Sequence, residues 1–117
     1  MHISAISHTP PASDADTIAI GIFDGEGTPP EAPPEVGELI SSGEARSAFK
    51  ALALTHAEGK RWLTVGLGAR GELSTERARV VASAAGARAR ELSTRALCWG
   101  FPAGAEPAIA AAIVEGT

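Results

Sequence analysis

Apolar positions along this chain fall into short strand-like runs separated by glycine and proline, and into one long stretch with helical spacing. The clearest strand is residues 17–23, where Ile18, Ile20 and Ile22 alternate with a second apolar set. Because both faces of this run are apolar, we expect the strand to lie in the centre of a sheet. Gly21 could face a ligand there, but close packing of a helix over it is the more ordinary role.

Residues 61–99 predict one β-α-β unit. An apolar strand at 61–66 runs through glycines into a helix at 75–92, and a second strand follows at 95–99. Ser74 is the expected N-cap of the helix. A crossover of this kind joins strands that run parallel. The inward face of the helix is predicted as a narrow stripe of mostly small side chains, three and four residues apart: Ala78, Val81, Ala82, Ala85, Ala89 and Leu92.

The flanking segments predict smaller elements. They are an edge strand at 2–7, a helix at 35–42 ended by Gly43, a strand at 48–55 and a final Ala-rich helix from 106 or 107 to 114. The strand at 48–55 and the one at 61–66 predict a β-hairpin, with Gly59 supplying the positive φ of a bulged loop at 56–60. Residues 24–34 hold four prolines and two glycines, which predicts a solvated, mobile loop.

Length and composition predict a single domain over residues 1–117 with a thin core. Apolar residues make up 44% of the chain, but many are alanine. The lone Cys98 cannot form an internal disulfide, which favours a reducing compartment. The sequence shows no signal peptide and no apolar run long enough for a membrane span. We therefore expect a cytoplasmic protein without a membrane partner.

The net charge of −4 hides an asymmetry along the chain. Residues 1–45 carry eight acids and no Lys or Arg, whereas residues 46–95 carry all ten Lys and Arg against four acids. On one interpretation the two segments lie on neighbouring surfaces and partly neutralise each other. On the other, the predicted helix presents a basic face to nucleic acid or to an acidic partner. The arginines that would make this contact are Arg77, Arg79, Arg88 and Arg90.

Gly66, Gly68 and Gly71 form the G-x-G-x-x-G pattern of dinucleotide-binding loops, placed between a strand and a helix. The third glycine lies in the loop rather than in the first helical turn, and no strand ending in Asp or Glu follows near residues 85–90. The spacing therefore favours a tight strand-to-helix connection over a phosphate cradle.

No group of residues has the spacing of a catalytic or metal site. His2, His8 and His56 are far apart, and Cys98 has no nearby partner. Ser74 and Thr75 resemble a helix cap rather than a nucleophile. We expect the acidic pairs, Asp14 with Asp16 and Asp24 with Glu26, to be solvated and to titrate normally. Trp62 and Trp99 lie in predicted strands and are expected as core or interface anchors.

The amino-acid sequences of several segments resemble those of a known family. These are Leu63-Thr-Val-Gly-Leu-Gly68, Glu72-Leu-Ser-Thr-Glu-Arg-Ala-Arg79, Glu91-Leu92 and Ala111-Ala-Ile-Val-Glu-Gly116. Together they resemble the N-terminal domain of the leucyl aminopeptidases of the M17 metallopeptidase family. The resemblance extends from Thr17 to the end of the chain.

This resemblance implies a three-layer α/β fold similar to macro domains, with a mixed, largely parallel sheet flanked by helices. In the family this domain is non-catalytic, and a linking helix joins it to a catalytic domain that removes N-terminal residues from peptides. That domain binds two divalent metals, Zn or Mn, through Lys, Asp and Glu residues that match no position here. We therefore expect no catalytic, cofactor-binding or metal residues, and no enzymatic activity in the chain alone. We expect the chain to end near the start of the linking helix.

The resemblance also implies partners. The domain would contact its own catalytic domain, and the parent enzyme would be a homohexamer held mainly through catalytic domains. Its role would be to scaffold or regulate the adjoining active site. Some bacterial members bind DNA, which keeps the arginine-bearing helix open as a nucleic-acid contact. A further alternative is a macro-like module that holds ADP-ribose or another nucleotide near Gly66 to Gly71.

Overall fold

The structure, a computed structural model, describes residues 2–6, 15–29, 32–100 and 107–117. Within those ranges the chain forms strands and helices in alternation. In order they are β1 (His2–Ile6), β2 (Thr17–Phe23), α1 (Pro34–Ser41), β3 (Leu52–Ala57), β4 (Lys60–Gly68), a 3-10 turn (Arg70–Glu72), α2 (Thr75–Glu91), β5 (Ala96–Gly100) and α3 (Pro107–Gly116). His8, Asp14 and the predicted loop after residue 100 lie outside the described ranges.

The described strands form one sheet in the order β1-β5-β2-β4-β3. β1 and β5, β5 and β2, and β2 and β4 pair in parallel, whereas β3 and β4 pair antiparallel. The mixed, largely parallel sheet is therefore confirmed, and β2 lies at its centre as its two apolar faces predicted. The predicted crossover from β4 through α2 to β5 is present, and it passes over β2 to reach β5.

Helices cover both faces of the sheet, so the fold has three layers. On one face α2 and α3 bury the larger core, in which Leu63, Val65 and Trp99 pack against Ala82 and Ala85 of α2. The other face carries a smaller core of strand residues packed against Val36 of α1. The helix stripe predicted from three-four spacing is buried from Ala78 to Ala89. Leu92, its predicted last member, follows the end of α2 and is only half-buried.

The predicted strand at 48–55 is wrong in its first half. Residues 48–51 form a turn with Lys50 at φ 71°, and β3 begins only at Leu52. The predicted loop at 56–60 is also shorter than expected. Only Glu58 and Gly59 connect the two strands, and φ values of 55° and 75° at these residues match the mirror-image turns that suit tight hairpins.

Two local predictions are borne out with small changes of boundary. The Ser74 side chain accepts a hydrogen bond from the Arg77 N–H at 3.2 Å, so Ser74 is the N-cap of α2. Helix α1 begins at Pro34 rather than at 35, because proline suits the first helical position where no N–H is required. Gly21 is packed tightly, but by Leu67 of the adjacent strand rather than by a helix.

Candidate functional site at the carboxyl edge of the sheet

The four parallel strands end at one edge of the sheet, where ligands bind in many open α/β folds. In the described structure this edge carries the turn that follows β2, the glycine segment after β4 and residues 43–51. It also carries two arginines stacked on aromatic rings, Arg70 on Phe23 and Arg77 on Phe49. This edge is therefore the candidate site.

The glycine segment at the end of β4 is closed by backbone packing. A Cβ atom on Gly66 would lie 1.9 Å from the carbonyl oxygen of Ala48, so the chain at 46–51 crosses directly over this glycine. The N–H groups of Gly66 and Gly68 donate to the carbonyls of Ala51 and Ser47 at 2.7 and 2.8 Å. These two N–H groups are occupied and cannot cradle a phosphate.

The third glycine of the pattern lies outside the helix, as its spacing predicted. Gly71 is in the 3-10 turn, and α2 begins only at Thr75. No heavy atom lies within 4 Å of a Cβ built on Gly71. The glycine pattern therefore forms a strand-to-helix connection, with Gly66 required for close backbone packing.

A cleft of about 310 Å³ lies beside the end of β2. Its walls come from the end of β2 and the turn after it, from α1 and from the segment that follows α1, and they include Phe23, Ile40 and Arg46. The Ser47 hydroxyl donates to the Asp24 carboxylate across this region. The volume is at the lower end of those that hold small molecules. A cleft of this size with an apolar wall, one guanidinium and one hydroxyl could hold a small polar ligand.

An ion pair holds the rim of this cleft in place. Arg70 donates to both carboxylate oxygens of Glu26, at 2.7 and 2.6 Å, and its guanidinium lies 4.2 Å from the centre of the Phe23 ring. The hydrogen bond from Arg70 holds the pKa of Glu26 below its usual value, and the same bond raises the pKa of Arg70. The expectation that Glu26 titrates normally is therefore wrong.

Arg77 is stacked on an aromatic ring at the start of α2. Its guanidinium lies 3.9 Å from the centre of the Phe49 ring and 3.9 Å from a carboxylate oxygen of Glu72. Its Nε atom is buried and has no hydrogen-bond partner in the described structure. Arg77 therefore covers the end of β4 near Gly68, with 36% of its side chain exposed.

The other three arginines of α2 also have contacts within the chain. Arg79 pairs with Glu115 and Arg88 pairs with Glu91, each at 3.4 Å, and Arg90 lies 3.5 Å from the carbonyl oxygen of Thr117. At 100° per residue, Arg77 and Arg88 fall on one flank of the buried stripe, whereas Arg79 and Arg90 fall on the other. The four predicted contact residues therefore form two separate stripes.

Acidic and basic segments do meet, as the first interpretation of the charge asymmetry predicted. Asp16 pairs with Arg61 at 3.6 Å, and Glu26 pairs with Arg70. Both pairs join the acidic first third of the chain to its basic middle. Whether α2 contacts nucleic acid stays a prediction.

At the opposite edge of the sheet, Asp16 joins β5 to β4. Its carboxylate accepts the N–H groups of Arg95 and Ala96 at 3.1 and 3.4 Å. Burial raises the pKa of Asp16, but the two N–H donors and the charge of Arg61 outweigh burial and hold it below its usual value. The expectation that Asp16 is solvated with a normal pKa is wrong for this residue.

The remaining candidate residues do not converge. His56 is exposed on β3, and Cys98 is buried in β5. Among the described residues, no three His, Cys, Asp or Glu side chains are close enough together to bind a metal ion. The resemblance assigns its two metals to the catalytic domain and not to these residues. Trp62 and Trp99 are buried, one on each face of the sheet, so both are core anchors.

None of the described helices has the length and apolar character needed to cross a bilayer.

Solved structures of other proteins have a similar fold. A mutant of tomato leucine aminopeptidase superposes with a TM-score of 0.71 at 19% sequence identity, over 99% of this chain and 27% of that chain. The macrodomain of Thermus aquaticus DarG superposes with a TM-score of 0.66 at 10% identity, over 97% of this chain and 89% of that chain. This chain thus spans about a quarter of the length of the tomato protein.

The sequence itself gives no comparable match. No protein-family model matches it, and no curated protein sequence matches it. Likeness at 19% and 10% identity shows the fold alone. The chain therefore has a macrodomain-like α/β fold that is also present as part of a leucine aminopeptidase.

Proposed function

We propose that this chain is the non-catalytic N-terminal domain of a leucyl-type metalloaminopeptidase, and that it scaffolds or regulates an adjoining two-metal catalytic domain. The observation that supports this most strongly is the match to tomato leucine aminopeptidase, which takes in 99% of this chain but only 27% of that protein. A non-catalytic domain of a larger enzyme would match only part of that enzyme, and the part it does not match would carry the catalytic residues. The segments around Leu63–Gly68 and Glu72–Arg79 resemble the same family in sequence.

The site geometry is compatible with a scaffolding role. The charged groups at the carboxyl edge are arranged to hold loops: Arg70 fixes the β2 turn through Glu26, and Arg77 covers the end of β4. On this proposal the peptide bond is hydrolysed in the catalytic domain, where two divalent metals, Zn or Mn, supply the Lewis acid. The parent enzyme would be a cytoplasmic homohexamer, and this domain would contact its own catalytic domain.

The coding sequence on either side of residues 1–117 gives the first test. We expect a downstream domain of about three hundred residues with metal-binding Lys, Asp and Glu, a size within the range of large single domains. A reading frame that closes directly after Thr117, in an organism without a separate catalytic subunit that binds this chain, would overturn the proposal.

Activity measurements give the second test. The purified 117-residue chain, supplied with Mn²⁺ or Zn²⁺, should release no product from a leucine chromogenic amide, whereas the complete polypeptide should turn it over. Removing residues 1–117 from the complete polypeptide should reduce its activity or its assembly. Turnover by the 117-residue chain alone would contradict the non-catalytic assignment.

A second candidate is a macro-like module that binds a nucleotide such as ADP-ribose. The cleft beside β2 and the likeness to a macrodomain over 97% of the chain favour it. Because the N–H groups of Gly66 and Gly68 are occupied, this candidate would bind its ligand in the cleft rather than at the glycine segment. Calorimetric titration with ADP-ribose tests it: a saturable signal that Arg46→Ala weakens supports binding in the cleft, and a flat titration removes the candidate.

A further inference from the structure

The charge of the cleft beside β2 indicates the kind of ligand that it takes. Arg46 is the only charged residue among the described residues that line the cleft. Its side chain is exposed, and it forms no ion pair or hydrogen bond with any other part of the described chain. An unpaired guanidinium beside a concave surface attracts negative charge, because a ligand bound there can accept its N–H groups.

The carboxylates near the cleft do not neutralise this guanidinium. Asp24 accepts a hydrogen bond from the Ser47 hydroxyl, and Glu26 is bound by Arg70. Glu44 is exposed and forms no ion pair within the described chain. None of these three acids lines the cleft. One positive charge at the cleft therefore has no partner.

The carboxyl end of helix α1 also borders the cleft, through Ile40 and Gly43. The last carbonyl oxygens of a helix carry partial negative charge and would compete with an anion if they were free. Here the carbonyl oxygens of residues 38, 39 and 40 accept N–H groups from residues 42, 45 and 43. These three acceptors are therefore occupied within the chain.

Two backbone donors at the cleft are also without acceptors. Gly25 and Gly27 line it, and their N–H groups form no hydrogen bond with any described residue. Both glycines have left-handed backbones, with φ values of 73° and 68°. Closely spaced left-handed residues in a turn are typical of nests, which are concave backbone stretches whose N–H groups bind anions. The cleft therefore adds neutral donors to the charge of Arg46.

The floor of the cleft is apolar and is held by the core. Ile22 and Phe23 belong to β2 and are 3% and 5% exposed, whereas Ile40 of α1 is half-buried. Because the core holds this floor in place before a ligand arrives, binding costs little ordering of the protein. The volume of about 310 Å³ suits a ligand with a short hydrocarbon chain.

We propose that this cleft binds a small organic anion with one carboxylate and one short apolar group. Arg46 pairs with the carboxylate, the N–H groups of Gly25 and Gly27 donate to it, and the apolar group packs against the floor. A monocarboxylate matches the single unpaired charge, whereas a phosphate monoester carries about −1.5 to −2 charges. The inference does not rest on the aminopeptidase assignment, and it gives the cleft a smaller ligand than ADP-ribose.

NMR titration of the ¹⁵N-labelled chain with isocaproate at neutral pH tests the proposal. We expect saturable shifts of the Gly25 and Gly27 amide signals, with a dissociation constant on the order of 1 mM, as for a ligand of few atoms. Isocaproamide has the same shape without the charge, and acetate has the charge without the chain. Each should bind about tenfold more weakly than isocaproate. Equal binding of isocaproate and isocaproamide, or shifts confined to residues outside the cleft, overturns the proposal.

Substitution of the guanidinium tests its role. Arg46→Ala should raise the dissociation constant for isocaproate about tenfold, because the carboxylate loses its charged donor. Arg46→Lys keeps the charge and should retain part of the affinity. Arg95→Ala is the matched control, since the Arg95 side chain is also exposed and forms no ion pair in the described structure. Equal affinities of Arg46→Ala and the wild type contradict the proposal.

Three further probes identify the source of the carboxylate and test the rival ligand. N-acetyl-leucine represents the end of a peptide and leucine represents a free amino acid, so the tighter binder identifies the source. Inorganic phosphate should bind more weakly than isocaproate. The reverse order would assign the cleft to a phosphate-bearing ligand and overturn the proposal. Failure of isocaproate to bind leaves the coding-sequence and activity tests of the aminopeptidase assignment unaffected, so the two proposals fail separately.

Discussion

Arg61 of β4 donates from Nη1 to the carbonyl oxygen of Leu92 at 2.7 Å, and this bond ties the start of a central strand to the end of helix α2. The Arg61 Nε donates to the hydroxyl of Thr17 at 3.1 Å, and the Thr17 hydroxyl lies 3.1 Å from that of Thr94. Both threonines are buried. One guanidinium thus joins β2, β4 and the segment that leads into β5.

Replacing Arg61 with methionine should destabilise the fold. The substitution keeps much of the apolar stem but leaves the Leu92 carbonyl and the Thr17 hydroxyl without their charged donor, which costs about 2–3 kcal/mol in the free energy of unfolding. Urea denaturation measures this cost. Arg95→Met is the matched control, because the Arg95 side chain is exposed and in no ion pair of the described structure. Equal effects of the two variants would show that the Arg61 contacts contribute nothing specific.

The stability of the chain should fall in acid partly through Asp16. Its pKa is lower in the folded state than the ordinary value of 3.8, so the carboxylate contributes stability that is complete above that value. This contribution is lost as the pH falls through the lowered folded-state pKa. The difference in unfolding free energy between the wild type and Asp16→Asn should therefore be constant at neutral pH and should shrink below about pH 4.

Urea denaturation at a series of pH values from neutral down to pH 3 measures this difference. Glu38→Gln on the exposed side of α1 is the control, and its difference from the wild type should stay close to zero throughout. A gap between wild type and Asp16→Asn that widens as the pH falls would contradict the assigned direction of the pKa shift.

The elements that sequence predicted well are those whose signal is local. The stripe from Ala78 to Ala89 follows helical periodicity, and both faces of Thr17–Phe23 are apolar, so burial follows directly from the spacing. The error at residues 48–51 has a long-range cause. The chain turns there because the backbone crosses over Gly66, which lies fifteen or more residues later, and an apolar run such as Ala48–Leu54 gives no sign of that contact.

Gly66→Ala tests whether the glycine segment is required for packing. A methyl group at residue 66 would overlap the Ala48 carbonyl, which is backbone and cannot rotate away, so we expect a loss of about 3 kcal/mol or more in unfolding free energy, as for severe overpacking. Gly71→Ala is the control, since its Cβ meets no atom within 4 Å. It should change stability by less than about 0.5 kcal/mol. A stable, fully folded Gly66→Ala variant in urea denaturation would contradict the crossing of residues 46–51.

The arginines of α2 should not produce strong nucleic-acid binding. Arg79 and Arg88 are paired with carboxylates, and Arg77 is stacked on Phe49, so few positive charges are free to neutralise phosphates. We expect no mobility shift of a duplex of about 20 base pairs at about 50 mM salt. A salt-sensitive shift that the double variant Arg79→Glu/Arg90→Glu abolishes, and that Arg46→Glu does not, would assign nucleic-acid binding to this helix.

The candidate site was harder to predict than the fold because its partners are distant in sequence. The Asp16 carboxylate accepts hydrogen bonds from the N–H groups of Arg95 and Ala96, which lie 79 and 80 positions later in the chain. The Glu26 carboxylate accepts a hydrogen bond from Arg70, 44 positions later. Local composition correctly placed these acids beside turns, but a solvated loop carboxylate and one that accepts two N–H groups have the same sequence context. The overall charge asymmetry was the signal that these segments would meet.

The hydroxyl of Thr117 contributes to stability through a buried tryptophan. Trp99 is 1% exposed, and its Nε1–H donates to the Thr117 hydroxyl at 3.0 Å, which in turn donates to the Ile113 carbonyl. Thr117→Val keeps the shape but leaves the buried indole N–H without an acceptor, so we expect a loss of about 1–2 kcal/mol in urea denaturation. Thr117→Ser keeps the hydroxyl and should retain most of the stability. Thr75→Val makes the same substitution at an exposed position in the first turn of α2 and is the control. Its unfolding free energy should stay within about 0.5 kcal/mol of the wild-type value. Equal stability of Thr117→Val and the wild type would show that the indole N–H finds another acceptor.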